Sequence, residues 1–407
     1  MGDILLYIAF TLAVAAGWGA SRFQQRFRFK KVLPALSRQS HHREHHNREH
    51  HNRDYYSGLD FLINDQPDEA IESFIRVLEV NSDTIPAHLA LAKLFRRKGD
   101  FERAIQIHQD LLNRPGLPPQ DLQRIQMALA RDYDAIGLLD RAEELLLETV
   151  KNKPEAEIRA KALMLLMRLY EKEGEWQKAL ETASRLEHDQ MHAVKHKLAH
   201  YYCELAESIH CQQNDEKASV YLQKALQRDR NCVRAILLQA HIHMRSGAWR
   251  SAIKVLKRVP DQNLLLVSET IPLLERCYRE QGAMHEFDQY LNLCLHKAPS
   301  STVILAMAER VNASEGINAA AMFIMEELKK RPSIRGFNRL IDLHIQQGGH
   351  SVRESLTILR GLTGQLERSK PVYQCLQCGF EGRTLHWQCP SCREWDSTRP
   401  IQGLEGE

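Results

Sequence analysis

The sequence is short of almost everything that marks an enzyme. Its 407 residues contain no Gly-x-Ser-x-Gly turn, no Gly-x4-Gly-Lys-Ser/Thr loop, no His-Glu-x-x-His helix and no plausible Cys–His pair. The common nucleophilic, phosphate-cradling and metalloprotease arrangements are therefore absent. Charge of one sign is lacking too: 55 Lys+Arg stand against 52 Asp+Glu, a net +3. A nucleic-acid-binding body, which needs a basic face, is excluded. Few segments alternate apolar and polar residues, while Leu, Ala, Glu, Gln, Lys and Arg dominate, so the body should be all-α. Twenty Gly and 7% aromatic residues exclude collagen-like or low-complexity material over most of the chain. No disulfide framework is present. Five of the nine Cys (Cys203, Cys211, Cys232, Cys277 and Cys294) are scattered through helical pattern. That scatter suits a reducing compartment and small buried side chains. At this length two to three domains are expected, each able to fold without disulfides.

What is present begins with Ile4–Ala20, 17 residues without a charge. That is the lower limit for crossing a hydrocarbon core of about 30 Å. Positive residues follow the run rather than precede it (Arg22, Arg26, Arg28, Lys30, Lys31). The pattern predicts an uncleaved single-pass anchor over residues 1–21 with everything after Arg22 on the cytosolic side. Residues 22–53 read as a basic tether. It carries nine Lys/Arg against two Glu, six His between His41 and His51, and a tandem pentad, His45–Glu49 then His50–Asp54. A metal- or pH-responsive tract is one reading of those His. A solvated repeat expansion is the plainer one.

From residue 54 to 368 a signature recurs. A Gly or small residue is followed five positions later by Ala, as in Gly99–Ala104, Gly137–Ala142, Gly174–Ala179 and Gly247–Ala252. Weaker copies end at Ala70, Ala218, Phe287 and Ala321. The anchors 70, 104, 142, 179, 218, 252, 287 and 321 step by 34 to 39 residues. A tetratricopeptide repeat has a basic length of about 34. Nine before the anchor a large residue recurs (Phe61, Phe95, Tyr133, Tyr170, Tyr278), and twelve before it a small one (Gly58, Ala92, Ala130, Ala206, Ala240). Small residues let the two helices of a repeat approach, and the Gly ends the first of them. Pro154, Pro299 and Pro332 stand where one repeat hands over to the next. About nine helix pairs are expected, the last over Ser333–Leu366. They form a tetratricopeptide superhelix that offers surface rather than a deep catalytic pocket.

Residues 369–407 change character. Cys375 and Cys378 are followed by Cys389 and Cys392, the spacing Cys-x2-Cys-x10-Cys-x2-Cys. Each pair turns two thiolates toward one ion, and four make a closed tetrahedral site for iron or zinc. A redox Cys-x2-Cys needs one pair, so a structural metal is the better reading. So small a unit lacks a core, and the metal should supply its folding energy. Tyr373, Trp387 and Trp395 are expected to pack around the site, and the unit to dock on the last helices.

These residues resemble the lipopolysaccharide assembly protein B (LapB, or YciM) family of Gram-negative bacteria. The resemblance rests on the apolar N-terminus ending near Gly17-Trp18, the Arg53-Asp54-Tyr55 entry to the first repeat, and the tail from Trp387 through Trp395 to Arg399-Pro400. The His pentads depart from it. The resemblance implies an inner-membrane protein facing the cytoplasm, with repeats and a rubredoxin-type domain. It implies a regulator that promotes degradation of the LpxC deacetylase by the membrane protease FtsH and organises other lipopolysaccharide-synthesis proteins. It further implies iron on Cys375, Cys378, Cys389 and Cys392. The residues alone reach only a membrane-tethered scaffold with a thiolate metal site. Two rivals stand beside it: a metal- or redox-dependent enzyme using the four cysteines, and a general chaperone cofactor binding peptide tails.

Overall fold

The computed structural model describes residues 47–81, 84–152 and 154–407. They fall into two units that meet at Lys172/Glu173. The first holds three helix pairs: α1 (Asn47–Ile63) with α2 (Pro67–Val80), α3 (Ile85–Arg97) with α4 (Phe101–Leu112), and α5 (Pro119–Ala135) with α6 (Leu139–Lys151). Helix α7 (Ala156–Glu173) closes it. The second opens with α8 (Trp176–Ala183) and a short α9 (His188–Ala193). Five pairs follow: α10 (Lys195–Cys211) with α11 (Asp215–Arg228), α12 (Val233–Arg245) with α13 (Trp249–Leu256), α15 (Ile271–Glu280) with α16 (Met284–Lys297), α17 (Ser301–Glu315) with α18 (Ile317–Lys330), and α19 (Ile334–Gln347) with α20 (His350–Ser369). A one-turn α14 (Val259–Gln262) and two 3-10 turns, Leu264–Leu266 and Ser268–Thr270, lie between α13 and α15.

The repeat signature has a direct physical content. All eight anchors, from Ala70 to Ala321, are buried. At the first copy, a Cβ on Gly58 would come to 3.0 Å from the Phe74 ring, so any larger residue there would press α1 and the ring of α2 apart. Five residues before every anchor the backbone turns left-handed, with φ between 54° and 90°. Six of those positions are Gly, which reaches positive φ without a Cβ clash. Asp65 and Gln213 adopt the same conformation at the other two. Several helices then start on a side-chain cap: Asp100, Asn214, Ser300 and Ser333 each accept a backbone N–H three residues on.

Two expectations need correction. Helix α1 begins at Asn47, inside the segment expected to be a tether. Residues 47–53 contain neither Pro nor Gly, so a helix nucleated by packing of Tyr55 and Leu59 on the first core propagates backward at little cost. Among the scattered cysteines, Cys203, Cys232, Cys277 and Cys294 are buried, but Cys211, the last residue of α10, is exposed. The apolar run Ile4–Ala20 and His41–His46 lie outside the described residues. No described helix is long and apolar enough to cross a membrane.

Candidate metal centre

The last unit of structure is a small ribbon. Strands β1 (Tyr373–Cys375), β2 (Glu381–Gly382) and β3 (Thr398–Pro400) form an antiparallel sheet in the order β2-β1-β3. Each Cys-x2-Cys sits in a tight turn. Gly379 N–H donates to the Cys375 carbonyl, and Arg393 N–H donates to the Cys389 carbonyl. Gly379 and Arg393, the residues after the second Cys of each pair, both turn left-handed, at φ 76° and 59°. The two turns thus aim four sulfurs at one point. All four lie within 4.8 Å of one another. Cys375 Sγ is 3.7 Å from Cys392 Sγ, and Cys378 Sγ is 3.6 Å from Cys389 Sγ. Four bonds of about 2.3 Å to a tetrahedral ion give an edge of about 3.8 Å, so the donor set fits iron or zinc. It is the one group of three or more potential ligands brought together among the described residues.

The thiols differ in readiness to ionise. Burial opposes ionisation at Cys375, but the Ser397 hydroxyl and the N–H groups of Cys378 and Gln377 bring it down to about 6. Cys378 is also lowered, first by the N–H of Phe380. Cys392 is pushed up to about 12: the Glu394 N–H favours its thiolate, but burial and the three neighbouring sulfurs outweigh it. A bound cation would relieve that crowding of negative charge, and loading would release protons.

The unit docks on the last helices, as expected, where Ile334 N–H donates to the Leu404 carbonyl at 2.9 Å and Glu407 pairs with Arg335. Its aromatic side chains reach further back along the repeats. Trp395, 3% exposed, stacks on His200 of α10 at 4.9 Å and 20°. It meets Tyr201 and Trp176 edge-on, each at 6.0 Å, and the Arg234 guanidinium lies 6.0 Å from its ring. Arg234 is itself buried and held by Glu204 at 2.8 Å and Glu207 at 2.5 Å. Trp387 and Leu385 pack on Val233, Ile236, Val259 and Leu266. Tyr373 donates to Glu269 at 2.7 Å, and Lys197 pairs with Glu394 at 3.2 Å. The three aromatics expected around the metal therefore face outward. For Trp395 and Trp387 the rings and aliphatic side chains of the repeats offer more apolar area than so small a site can.

Comparison with known proteins follows the same division. Residues 373–400 match the family model described as a rubredoxin metal binding domain, and residues 87–123 match one described as a tetratricopeptide repeat. Lipopolysaccharide assembly protein B of Escherichia coli strain K12 is 35% identical over 404 residues, 99% of each chain. Its namesake from Haemophilus influenzae is 32% identical, over 98% of this chain and 99% of that one. The chain belongs to the lipopolysaccharide assembly protein B family. In this member the four cysteines were legible from spacing alone. The docking residues Trp176, His200, Tyr201, Arg234 and Glu269 were not. Four of them sit in repeat helices and Glu269 in the 3-10 turn before α15; the signal the pattern offers is two buried polar side chains, His200 of α10 and Arg234 in the first turn of α12.

Proposed function

We propose that this chain is a membrane-anchored cytosolic adaptor that regulates lipopolysaccharide synthesis by promoting FtsH-dependent proteolysis of the LpxC deacetylase, and that it has no catalytic centre of its own. In this reading residues 1–21 anchor the chain in the inner membrane and residues 22–53, of which 47–53 already belong to α1, tether it. Residues 54–368 present the repeat surface to FtsH, LpxC and other lipopolysaccharide-synthesis proteins, and residues 369–407 form the metal domain. The observation that carries it is the closed four-sulfur cluster on a ribbon packed face-down against repeats. A metal held by four thiolates has no open position for a substrate, so its part is to fold the ribbon. Family membership supports the link to lipopolysaccharide assembly. The anchor acts through effective concentration. Confined to the membrane, the adaptor meets a membrane-embedded protease in a nearly intramolecular encounter, a gain that reaches roughly 10²–10⁴. Deleting Ile4–Ala20 should leave binding of soluble partners intact and abolish control of the deacetylase at native abundance. The readout is its steady-state level. Full control by the truncated protein would show the anchor to be dispensable.

A further inference from the structure

A cleft of about 540 Å³ opens in the second unit, where the starts of α17 and α19 meet the 3-10 turns and the chain's tail. Its floor is aliphatic, built from Leu264, Leu265, Ile304 and Leu404. Lys297 and Arg331 line it as exposed cations, and among the described residues neither forms an ion pair. Ser268 also lines it. That side chain is 5% exposed, and its hydroxyl has no hydrogen-bond partner among the described residues. The acid in the lining, Glu407, is already held: Thr302 donates to its carboxylate from N–H at 3.0 Å and from Oγ at 2.7 Å, and Arg335 pairs with it.

We propose that this cleft is a docking site for a partner peptide that carries carboxylates beside an aliphatic side chain. Charge complementarity is the first argument. Two unpaired cations flank an apolar floor. The buried Ser268 hydroxyl supplies a polar contact that the described residues leave unused. The chain's own tail is the second argument. Leu404 lies in the cleft wall and Glu407 caps the start of α17, so an aliphatic residue followed by a carboxylate already rests here. The inference goes beyond the regulatory reading and stands on this geometry whether or not that reading holds.

The probe is a fluorescein-labelled hexapeptide of alternating leucine and glutamate, titrated against the full chain by fluorescence anisotropy. The control peptide has lysine for glutamate. Saturable binding of the glutamate peptide, weakened by salt and absent for the lysine peptide, is expected. Lys297→Glu combined with Arg331→Glu should weaken it roughly tenfold or more, and Ser268→Ala should weaken it in the same direction. Both charge changes are on exposed side chains, and an unchanged circular dichroism melt shows that the fold is intact. Equal binding of the two peptides, or full affinity in the double variant, overturns the proposal. So does binding to phosphatidylglycerol vesicles without binding of the peptide, which would make the cleft a lipid site.

Discussion

Gln213 and Asp65 hold backbone that six other repeats give to glycine. For a residue with a Cβ, left-handed backbone costs roughly 1–2 kcal/mol. Glycine escapes that but loses some 0.5–1 kcal/mol through its freer unfolded chain. Gln213→Gly should therefore stabilise the protein by up to about 1 kcal/mol; a denaturation midpoint that stays put or falls would contradict this. His200 carries the second residue-scale prediction. Burial first, then Arg234, His196 and Arg399, drive it down to about 3 from its ordinary 6.5. The folded ring stays neutral while the unfolded one protonates. Its stabilising contribution is complete above about pH 6.5 and is lost as pH falls toward 3. At pH 5 the loss is of order 2 kcal/mol. His200→Phe keeps a flat ring against Trp395 and has nothing to protonate. Trp176, Trp387 and Trp395 all lie at this contact, so tryptophan fluorescence should report undocking at lower pH in the variant than in the parent. The metal thiolates are common to both proteins. Identical acid midpoints would exclude His200 as the sensitive group.

At the scale of elements, the ribbon behaves as one unit because its sulfurs and its docking side chains lie on the same turns. Trp387 precedes Cys389 by two residues and Trp395 follows Cys392 by three. Cys375→Ser should lower bound metal per chain by elemental analysis. It should also raise hydrogen exchange across α8 and the start of α10, where Trp395 rests. Undiminished metal would remove Cys375 as a ligand, and unchanged exchange would show that docking survives without the site. This division also explains what could be read in advance. The repeats were legible because close packing restricts one residue every 34 to 39, and the left-handed turn restricts another five earlier. The knuckles were legible because a shared ion fixes sulfur spacing. The docking surface was not: Trp395 meets His200 from 195 positions further along the chain, and no local rule joins an aromatic on a ribbon to a histidine on a helix. The start of α1 at Asn47 was missed for a different reason. Polar residues without Pro or Gly suit a solvated tether and a helix end equally well.

Across the second unit, the last 35 residues do what neighbouring repeats do elsewhere. Trp395 reaches back to α8 and α10, Tyr373 to Glu269, Glu407 to the first turn of α17, and Glu405 to Lys370 at 2.8 Å. A repeat stack closes mostly through adjacent pairs, so each pair can form as soon as the next is available. The ribbon contacts follow another timetable. Translation runs at about 5–20 residues per second, so His200 is added roughly 10–40 s before Trp395. Through that interval the face made by Trp176, His200 and Tyr201 waits without its cover. A chain cut short before the ribbon would keep that face exposed for good. The contact thus distinguishes chains that have reached the ribbon from those that have not, by a patch of aromatic surface that only the ribbon hides.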